Sequence, residues 1–231
     1  LMANFNTHFN VAFLASAALG VVVFKAGMLS PSLLVGCVAA GTIGGLLPDL
    51  DSDNSRPLDI GFNILAALAA FMMVVWFADQ LVLWELVAAG VLGFATIRYG
   101  VFTCFTWLTV HRGVMHSVPY VLMFGLISLY LAFYGLGLTA VDSWFVAAFI
   151  SFGALIHLIL DETYSVNLLN MTVKQSFGTA LKLYKSTDWY WYLALYLGLL
   201  VGWYCAPDGT GFYYAVTDLD AWRVLGQNLI R

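Results

Sequence analysis

Long apolar runs, separated by short polar stretches, make up most of this chain. Seven such runs can be drawn, at about 9–26, 31–48, 60–78, 81–107, 117–138, 142–160 and 190–206. Most of them reach or approach the roughly 20 residues that a helix needs to cross the hydrocarbon core of a bilayer. Because backbone polar groups must be paired inside hydrocarbon, runs of this length indicate α-helices. The pattern predicts an all-α, polytopic integral membrane bundle of about seven transmembrane helices.

The composition supports this fold class. Hydrophobic residues make up 62% of the 231 residues and charged residues only 10%, whereas a soluble domain carries about 25% charged residues. The net charge is −4 and there is no basic stripe, which argues against nucleic acid as a partner. We expect one membrane-embedded domain over residues 1–206 and an acidic, extramembrane C-terminal tail over 207–231.

Small residues recur at four-residue spacing in the second run, at Gly36, Ala40 and Gly44, and also at Gly41 and Gly45. Small side chains at this spacing let two helix backbones approach closely in a membrane. The second helix is therefore predicted to pack tightly against a neighbour. Farther along the chain, the piece at 176–185 predicts a short amphipathic helix on the membrane surface.

All four histidines lie in short polar clusters that interrupt apolar sequence. The clusters read NTHFN, HRGVMHS and HLILDE, and a further polar island reads LPDLDSDNS. Imidazole and carboxylate groups are the side chains that bind zinc and similar cations. The candidate metal ligands are His8, Asp49, Asp51, His111, His116, His157 and Asp161.

The order of the spans gives an independent test of this idea. Successive spans alternate between the two sides of a membrane. The clusters precede the first run, follow the second, separate the fourth from the fifth and end the sixth. All of them therefore fall on one side, so the sequence predicts a shared metal centre at one membrane face.

The HLILDE cluster has helical spacing. His157 and Asp161 stand at positions i and i+4, which share one helix face, so both can reach one cation. Glu162 is rotated away from that face. Its carboxylate could be a ligand of a second metal ion, a hydrogen-bond partner of a metal ligand or a proton acceptor. It could also simply contact solvent at a helix end.

The DLDSD segment offers carboxylates at alternating positions. A calcium-binding EF-hand loop begins in this way, but it needs Gly and Glu where this chain has Asn54 and Ile60. Mixed aspartate and histidine ligands suit zinc, manganese or iron better than calcium. Asp49 and Asp51 are the first choices here, whereas Asp53 and Asp59 are more typical of solvated loop residues.

Two arginines are candidates for anion binding or for structure. Arg112 presents a planar guanidinium that suits phosphate or carboxylate, but it could equally be a membrane-interface anchor or the ion-pair partner of an aspartate. Arg98 could be interfacial or pair with a carboxylate, and we favour a structural role for it.

The ordered motifs THFNV, LLPDLDSD, HRGVMHS and HLILDE resemble those of the LexA-binding, inner-membrane-associated, metal-dependent hydrolases of bacteria, a family also described as a domain of unknown function. The resemblance runs from His8 to about Lys182, and Met115 departs from it, since the family usually has Thr there. It implies metal-site roles for all seven candidate ligands. More distantly, the pattern is similar to zinc-dependent phospholipase C and P1 nuclease, but those enzymes use more histidines, so one or two ions are expected rather than three.

These observations predict a membrane-bound, metal-dependent hydrolase that acts on a phosphoester. Zinc is the first choice of metal, with manganese or iron as alternatives. Asp51 or Glu162 would be the general base and Arg112 would hold the anionic group. Because the site opens at headgroup level, the expected substrate is a phospholipid or another lipid-linked phosphoester.

Two other functions are compatible with the sequence. In the first, the metal is structural and the protein is a non-catalytic accessory subunit of a larger membrane complex. A catalytic site keeps an open position for water, whereas a structural site is closed by protein ligands. The second, a metal transporter, predicts ligands near the membrane midplane and ranks last because the clusters lie at span ends.

Basic residues indicate an orientation. The side that holds the clusters also carries Arg56, Arg112, Lys174, Lys182 and Lys185, and the opposite side carries Lys25, Arg223 and Arg231. Since cytoplasmic loops are enriched in Lys and Arg, we expect the site on the cytoplasmic face of a bacterial inner membrane. Lys25, directly after the first run, argues in the opposite direction.

Overall fold

The structure is a computed structural model that describes residues 5–51, 56–103, 116–167, 172–173 and 181–229. The described part of the chain is helical apart from one antiparallel pair of two-residue strands, β1 (Val166–Asn167) and β2 (Thr172–Val173). The α-helices are α1 (Phe5–Lys25), α2 (Pro31–Gly44), α3 (Arg56–Phe77), α4 (Leu83–Ala95), α5 (Val118–Tyr130), α6 (Ala140–Ser165), α7 (Trp189–Tyr204), α8 (Thr210–Thr217) and α9 (Leu219–Leu229). Short 3-10 helices cover Leu47–Asp51 and Ser186–Asp188, and π-helical turns cover Thr96–Val101 and Leu131–Gly135.

Four helical segments of the described chain are long and apolar enough to cross a membrane, as expected of a membrane protein. They are Phe5–Lys25, Pro31–Asp49, Val118–Gly135 and Ala140–Tyr164. The expectation of about seven spans is not confirmed. In α3 the apolar part is the shorter piece Leu65–Phe77, and α4 and α7 have 13 and 16 residues. Residues 81 and 82 of the fourth run precede α4 and are not helical, and the π-helical turn Thr96–Val101 continues α4.

The chain forms two compact units, one of residues 1–48 and 113–231 and the other of residues 49–112. In the first unit, α6 packs against α1, α2 and α5 and is the central helix. In the second unit, α3 packs against α4.

An ion pair in the second unit settles the role of Arg98. Its Nη2 donates to Asp59 Oδ1 at 3.0 Å, and its guanidinium lies 4.4 Å from the centre of the Phe102 ring. The pair joins α3 to the π-helical turn after α4, so Asp59 is a structural partner rather than a loop residue.

We expect Asp59→Asn to have a small effect. The Asp59 side chain is 56% exposed, and pairs of this kind contribute about 0–1 kcal/mol. Thermal unfolding should therefore shift by no more than about 2–4 °C, with metal content unchanged. Loss of bound metal in this variant would show that Asp59 matters beyond the ion pair.

The predicted close packing of the second helix is confirmed, and α6 is its neighbour. A Cβ added to Gly44 would overlap the backbone of Ile150, and one added to Gly153 would overlap the backbone of Gly41. Gly36 does not take part, since a Cβ there would meet no heavy atom of the described chain within 4 Å. The glycines thus let the end of α2 lie directly on α6.

The predicted surface helix is wrong over its last residues, 181–185, which are not helical; residues 174–180 lie outside the described chain. Instead, the Lys182 carbonyl accepts a hydrogen bond from Val118 N at 3.1 Å, and Lys182 forms a parallel bridge with Ser117. Val118 is the first residue of α5, and the first N–H groups of a helix have no partner within it. The segment therefore satisfies the start of α5 rather than forming its own helix.

Candidate metal centre

Helix α6 supplies two side chains of the candidate centre. His157 and Asp161 stand one turn apart, and His157 Nε2 lies 3.3 Å from Asp161 Oδ2. The His157 side chain is 0% exposed and the Asp161 side chain 11% exposed. The i, i+4 spacing therefore places both groups on one buried helix face, as the sequence predicts.

Two further histidines reach the same carboxylate from other helices. His8, in the first turn of α1, is 1% exposed, and its Nε2 lies 3.4 Å from Asp161 Oδ1. His116, two residues before α5, is 20% exposed, and its Nε2 lies 3.4 Å from Asp161 Oδ2. The His8 and His157 rings stack with their centres 3.8 Å apart. Three imidazoles thus surround one carboxylate where the start of α1, the start of α5 and the end of α6 meet.

The ring orientation of His157 is fixed by the end of α2. His157 Nδ1 lies 2.7 Å from the carbonyl oxygen of Gly45. A carbonyl oxygen only accepts, so Nδ1 carries a proton and donates it. In the neutral ring, Nε2 then presents a lone pair towards Asp161, whose oxygens are also acceptors. A cation between these two acceptors would remove their mutual repulsion. Metal-bound histidines characteristically donate their other N–H to an acceptor, as Nδ1 does here.

The distances in the cluster are compatible with a shared metal ion. A hydrogen bond between a charged imidazole and a carboxylate has a length of about 2.7–2.9 Å. In tetrahedral zinc sites, metal–ligand distances of about 2.0–2.2 Å place neighbouring ligand atoms roughly 3.3–3.5 Å apart. The nitrogen–oxygen separations of 3.3–3.4 Å found here match the second geometry.

One ligand set lies entirely within the first unit. Single ligand atoms of His116, His157 and Asp161 all lie within 4.8 Å of one another, close enough to hold one ion. Three protein ligands with a further position for water are typical of catalytic zinc sites.

The other carboxylate oxygen offers a place for a second ion. Asp161 Oδ1 faces His8 rather than the other two histidines. His8 Nδ1 is buried and has no hydrogen-bond partner among the described residues, and a buried polar atom of this kind requires an explanation such as an unseen ion. The residues therefore fit one ion at His116, His157 and Asp161, with His8 as a candidate ligand of a second.

The remaining predicted site residues are placed only in part. Asp49 is half-buried in the 3-10 helix Leu47–Asp51 and is the first residue of the second unit. The Asp51 side chain, His111 and Arg112 lie outside the described residues. Glu162 is half-buried, and its position one residue after Asp161 rotates it by about 100° from the ligand face. The roles of these residues stay predictions.

The sequence analysis did not predict that Gly45 positions His157. The glycine spacing predicts helix packing, but it does not indicate that the Gly45 carbonyl holds His157. Gly45 directly follows α2, and the last carbonyls of a helix have no partner within it. One signal in the sequence could have indicated this contact: the series of glycines in the second run ends at Gly45, just before the polar island that begins LPD.

No family model, curated protein or solved structure matches this chain. The resemblance of the motifs to the metal-dependent hydrolases thus stays a prediction.

Proposed function

We propose that this protein is a membrane-bound, metal-dependent hydrolase that cleaves a phosphoester at the membrane interface. The supporting observation is the spacing of three imidazole nitrogens, 3.3–3.4 Å from the oxygens of Asp161. The four helical segments of spanning length support a membrane location. His8 and Asp161 lie within about one turn of the ends of α1 and α6, which favours chemistry at headgroup level.

The described residues would bind zinc, or alternatively manganese or iron. His116, His157 and Asp161 would bind one ion, Gly45 would keep the ring of His157 in place, and His8 would serve a second ion. When bound, such an ion supplies Lewis-acid polarisation of a phosphoryl oxygen and activates water near neutral pH. The His116 side chain is 20% exposed, which favours it as the ligand nearest to solvent and to an entering substrate.

Proton transfer would use one carboxylate, either Glu162 or Asp51. A water oxygen forms a bond to phosphorus while the ester P–O bond breaks. One proton of that water passes to Glu162 or Asp51, and the leaving alkoxide takes up a proton in turn. The guanidinium of Arg112 would hold the phosphate. These three roles come from the sequence and are part of the proposal.

The wider setting is also proposed. A site at headgroup level favours a phospholipid or lipid-linked phosphoester as substrate. We retain the bundle of about seven spans, the bacterial inner membrane and the cytoplasmic face as proposals, supported by the apolar runs and the distribution of Lys and Arg.

The direct test compares purified wild type with His157→Ala. We expect roughly one or two zinc-type ions per wild-type chain by elemental analysis and strongly reduced metal in the variant, since a ligand is removed. A phosphodiester hydrolysis screen on lipid extracts should show activity only in the metal-loaded wild type. Metal-free wild type, or hydrolysis that survives in His157→Ala without metal, would contradict the proposal.

Arg112→Ala separates substrate binding from metal binding. We expect turnover to fall by about 10²-fold or more, because charge stabilisation of the transition state is lost, while metal content stays at the wild-type value. Elemental analysis and hydrolysis rates on one preparation measure both quantities. A parallel loss of metal and activity would count against a substrate role for Arg112.

The second candidate is a non-catalytic subunit with a structural metal. The near-complete burial of His8 and His157 favours it, because structural sites are enclosed by protein. Stoichiometric metal, no hydrolysis across the phosphoester screen and a large loss of thermal stability on chelation would establish this role instead.

A further inference from the structure

Among the four imidazole and carboxylate groups of the described cluster, His116 is the one that stands outside a helix. His8 lies in α1, and His157 and Asp161 lie in α6. His116 precedes α5 by two residues and directly precedes Ser117, which caps that helix. Its imidazole nitrogen nevertheless lies 3.4 Å from the Asp161 carboxylate. The backbone at His116 therefore needs support from another part of the chain.

Residues 181–185, which we call the strap, supply this support through backbone pairing. Lys182 forms a parallel bridge with Ser117, and its carbonyl accepts a hydrogen bond from Val118 N at 3.1 Å. Ser117 is 0% exposed, so water does not compete at this position. The strap thus fixes the backbone directly after His116.

Helix α7 holds the strap in turn. The Tyr196 hydroxyl donates to the carbonyl oxygen of Leu183 at 2.8 Å, and Leu183 directly follows Lys182. The Tyr184 ring meets the Tyr192 ring edge to face, with centres 5.6 Å apart, and Tyr192 is itself 1% exposed. Helix α7 contains no histidine or carboxylate, yet these contacts connect it to the metal centre through the strap.

We propose that Tyr196 is a positioning residue for the metal ligand His116 and acts on it through the strap. The inference rests on the proposed function, because it concerns the same metal centre. The Tyr196 side chain is 44% exposed, so loss of its hydroxyl leaves no buried polar group without a partner. Tyr196→Phe therefore releases the Leu183 carbonyl of the strap without creating a cavity in the core.

The test compares Tyr196→Phe with Tyr130→Phe. The Tyr130 hydroxyl donates to Gly202 O at 2.8 Å, so each variant loses one tyrosine–carbonyl bond of the same length. Tyr130 is at the far end of α5, roughly 20 Å along the helix axis from His116. We expect the zinc affinity, measured by competition with a chelator, to fall about fivefold in Tyr196→Phe, the size of one neutral hydrogen bond, and to stay unchanged in Tyr130→Phe. Equal affinities in the two variants would overturn the proposal.

A spectroscopic measurement separates positioning from a general loss of stability. Cobalt(II) in place of zinc absorbs visible light in bands that depend on the geometry of its ligands. A purely structural role predicts a lower unfolding temperature in both variants with unchanged cobalt bands. Displacement of His116 predicts shifted bands in Tyr196→Phe alone. Wild-type bands in Tyr196→Phe would count against the proposal.

A third measurement depends on neither metal nor hydrolysis. Diethyl pyrocarbonate modifies accessible imidazoles, and peptide mapping by mass spectrometry gives the rate at His116 in metal-free protein. We expect that rate to rise about fivefold in Tyr196→Phe, because the strap opens more often, and to match wild type in Tyr130→Phe.

The outcomes distinguish this inference from the proposed function. A rise confined to Tyr196→Phe in a protein that binds no metal would keep the link between Tyr196 and His116 and reject the hydrolase proposal. An active metalloenzyme in which Tyr196→Phe changes neither zinc affinity, cobalt bands nor the modification rate would keep the hydrolase and reject the positioning role.

Discussion

Replacing Asp161 by Asn is expected to abolish metal binding and phosphoester hydrolysis. Asp161 is the one described carboxylate that faces three imidazoles, at 3.3–3.4 Å. Loss of a residue that only hydrogen-bonds to a metal ligand lowers metal affinity by roughly 10–100-fold. Loss of Asp161 should lower metal affinity by more than this, because Asp161 is itself a proposed ligand. Turnover should fall by about 10³-fold or more, because several kcal/mol of transition-state stabilisation depend on the ion. Elemental analysis and a phosphodiester assay measure the two effects.

Glu162→Gln is the matched control for this prediction. It makes the same carboxylate-to-amide change one residue later on α6, at a position rotated away from the ligand face. We expect Glu162→Gln to keep its metal even if turnover falls, in keeping with a proton-accepting role. Wild-type metal content in Asp161→Asn would remove Asp161 from the ligand set.

Adding a methyl group at Gly44 is expected to destabilise the protein and weaken the metal site. A Cβ there would overlap the backbone of Ile150 on α6, and overpacking of this kind costs about 1–3 kcal/mol. The helices can relieve the overlap only by separating, which also moves Gly45 away from His157. Gly44→Ala should therefore unfold at lower temperature in detergent and bind less metal than wild type.

Gly36→Ala makes the identical change on the same helix, where a Cβ would meet no described heavy atom within 4 Å. We expect it to be neutral or to stabilise by up to about 1 kcal/mol, since alanine favours helix over glycine. Equal behaviour of the two variants would show that α2 and α6 do not pack as described. Gly153→Ala gives a check from the other helix and should behave like Gly44→Ala.

Much of this architecture follows from pattern alone. The i, i+4 spacing of His157 and Asp161 dictates one helix face, and the alternation of spans predicts that their end of α6 meets the histidines of the other clusters. The structure brings His8 and His116 to Asp161. Small residues at four-residue spacing likewise predict that the second helix packs closely on a neighbour, and the structure shows that Gly44 lies on α6.

Other features could not be read from side-chain pattern. The Gly45 carbonyl binds His157 through the backbone, which leaves no residue signature. Lys182 belongs to a basic, amphipathic pattern typical of a surface helix, yet its carbonyl pairs with Val118, because tertiary contacts override local propensity. The number of about seven spans is not confirmed, since four helical segments of the described chain are long and apolar enough to cross a membrane.

X-ray absorption spectroscopy at the zinc edge on the purified protein tests the central claim most directly. The described cluster predicts a first shell of nitrogen and oxygen at about 2.0–2.2 Å, with multiple scattering from at least two imidazoles. That imidazole signal should fall in His157→Ala. A sample without bound metal, or a spectrum that is identical in wild type and variant, would contradict a metal centre at His116, His157 and Asp161.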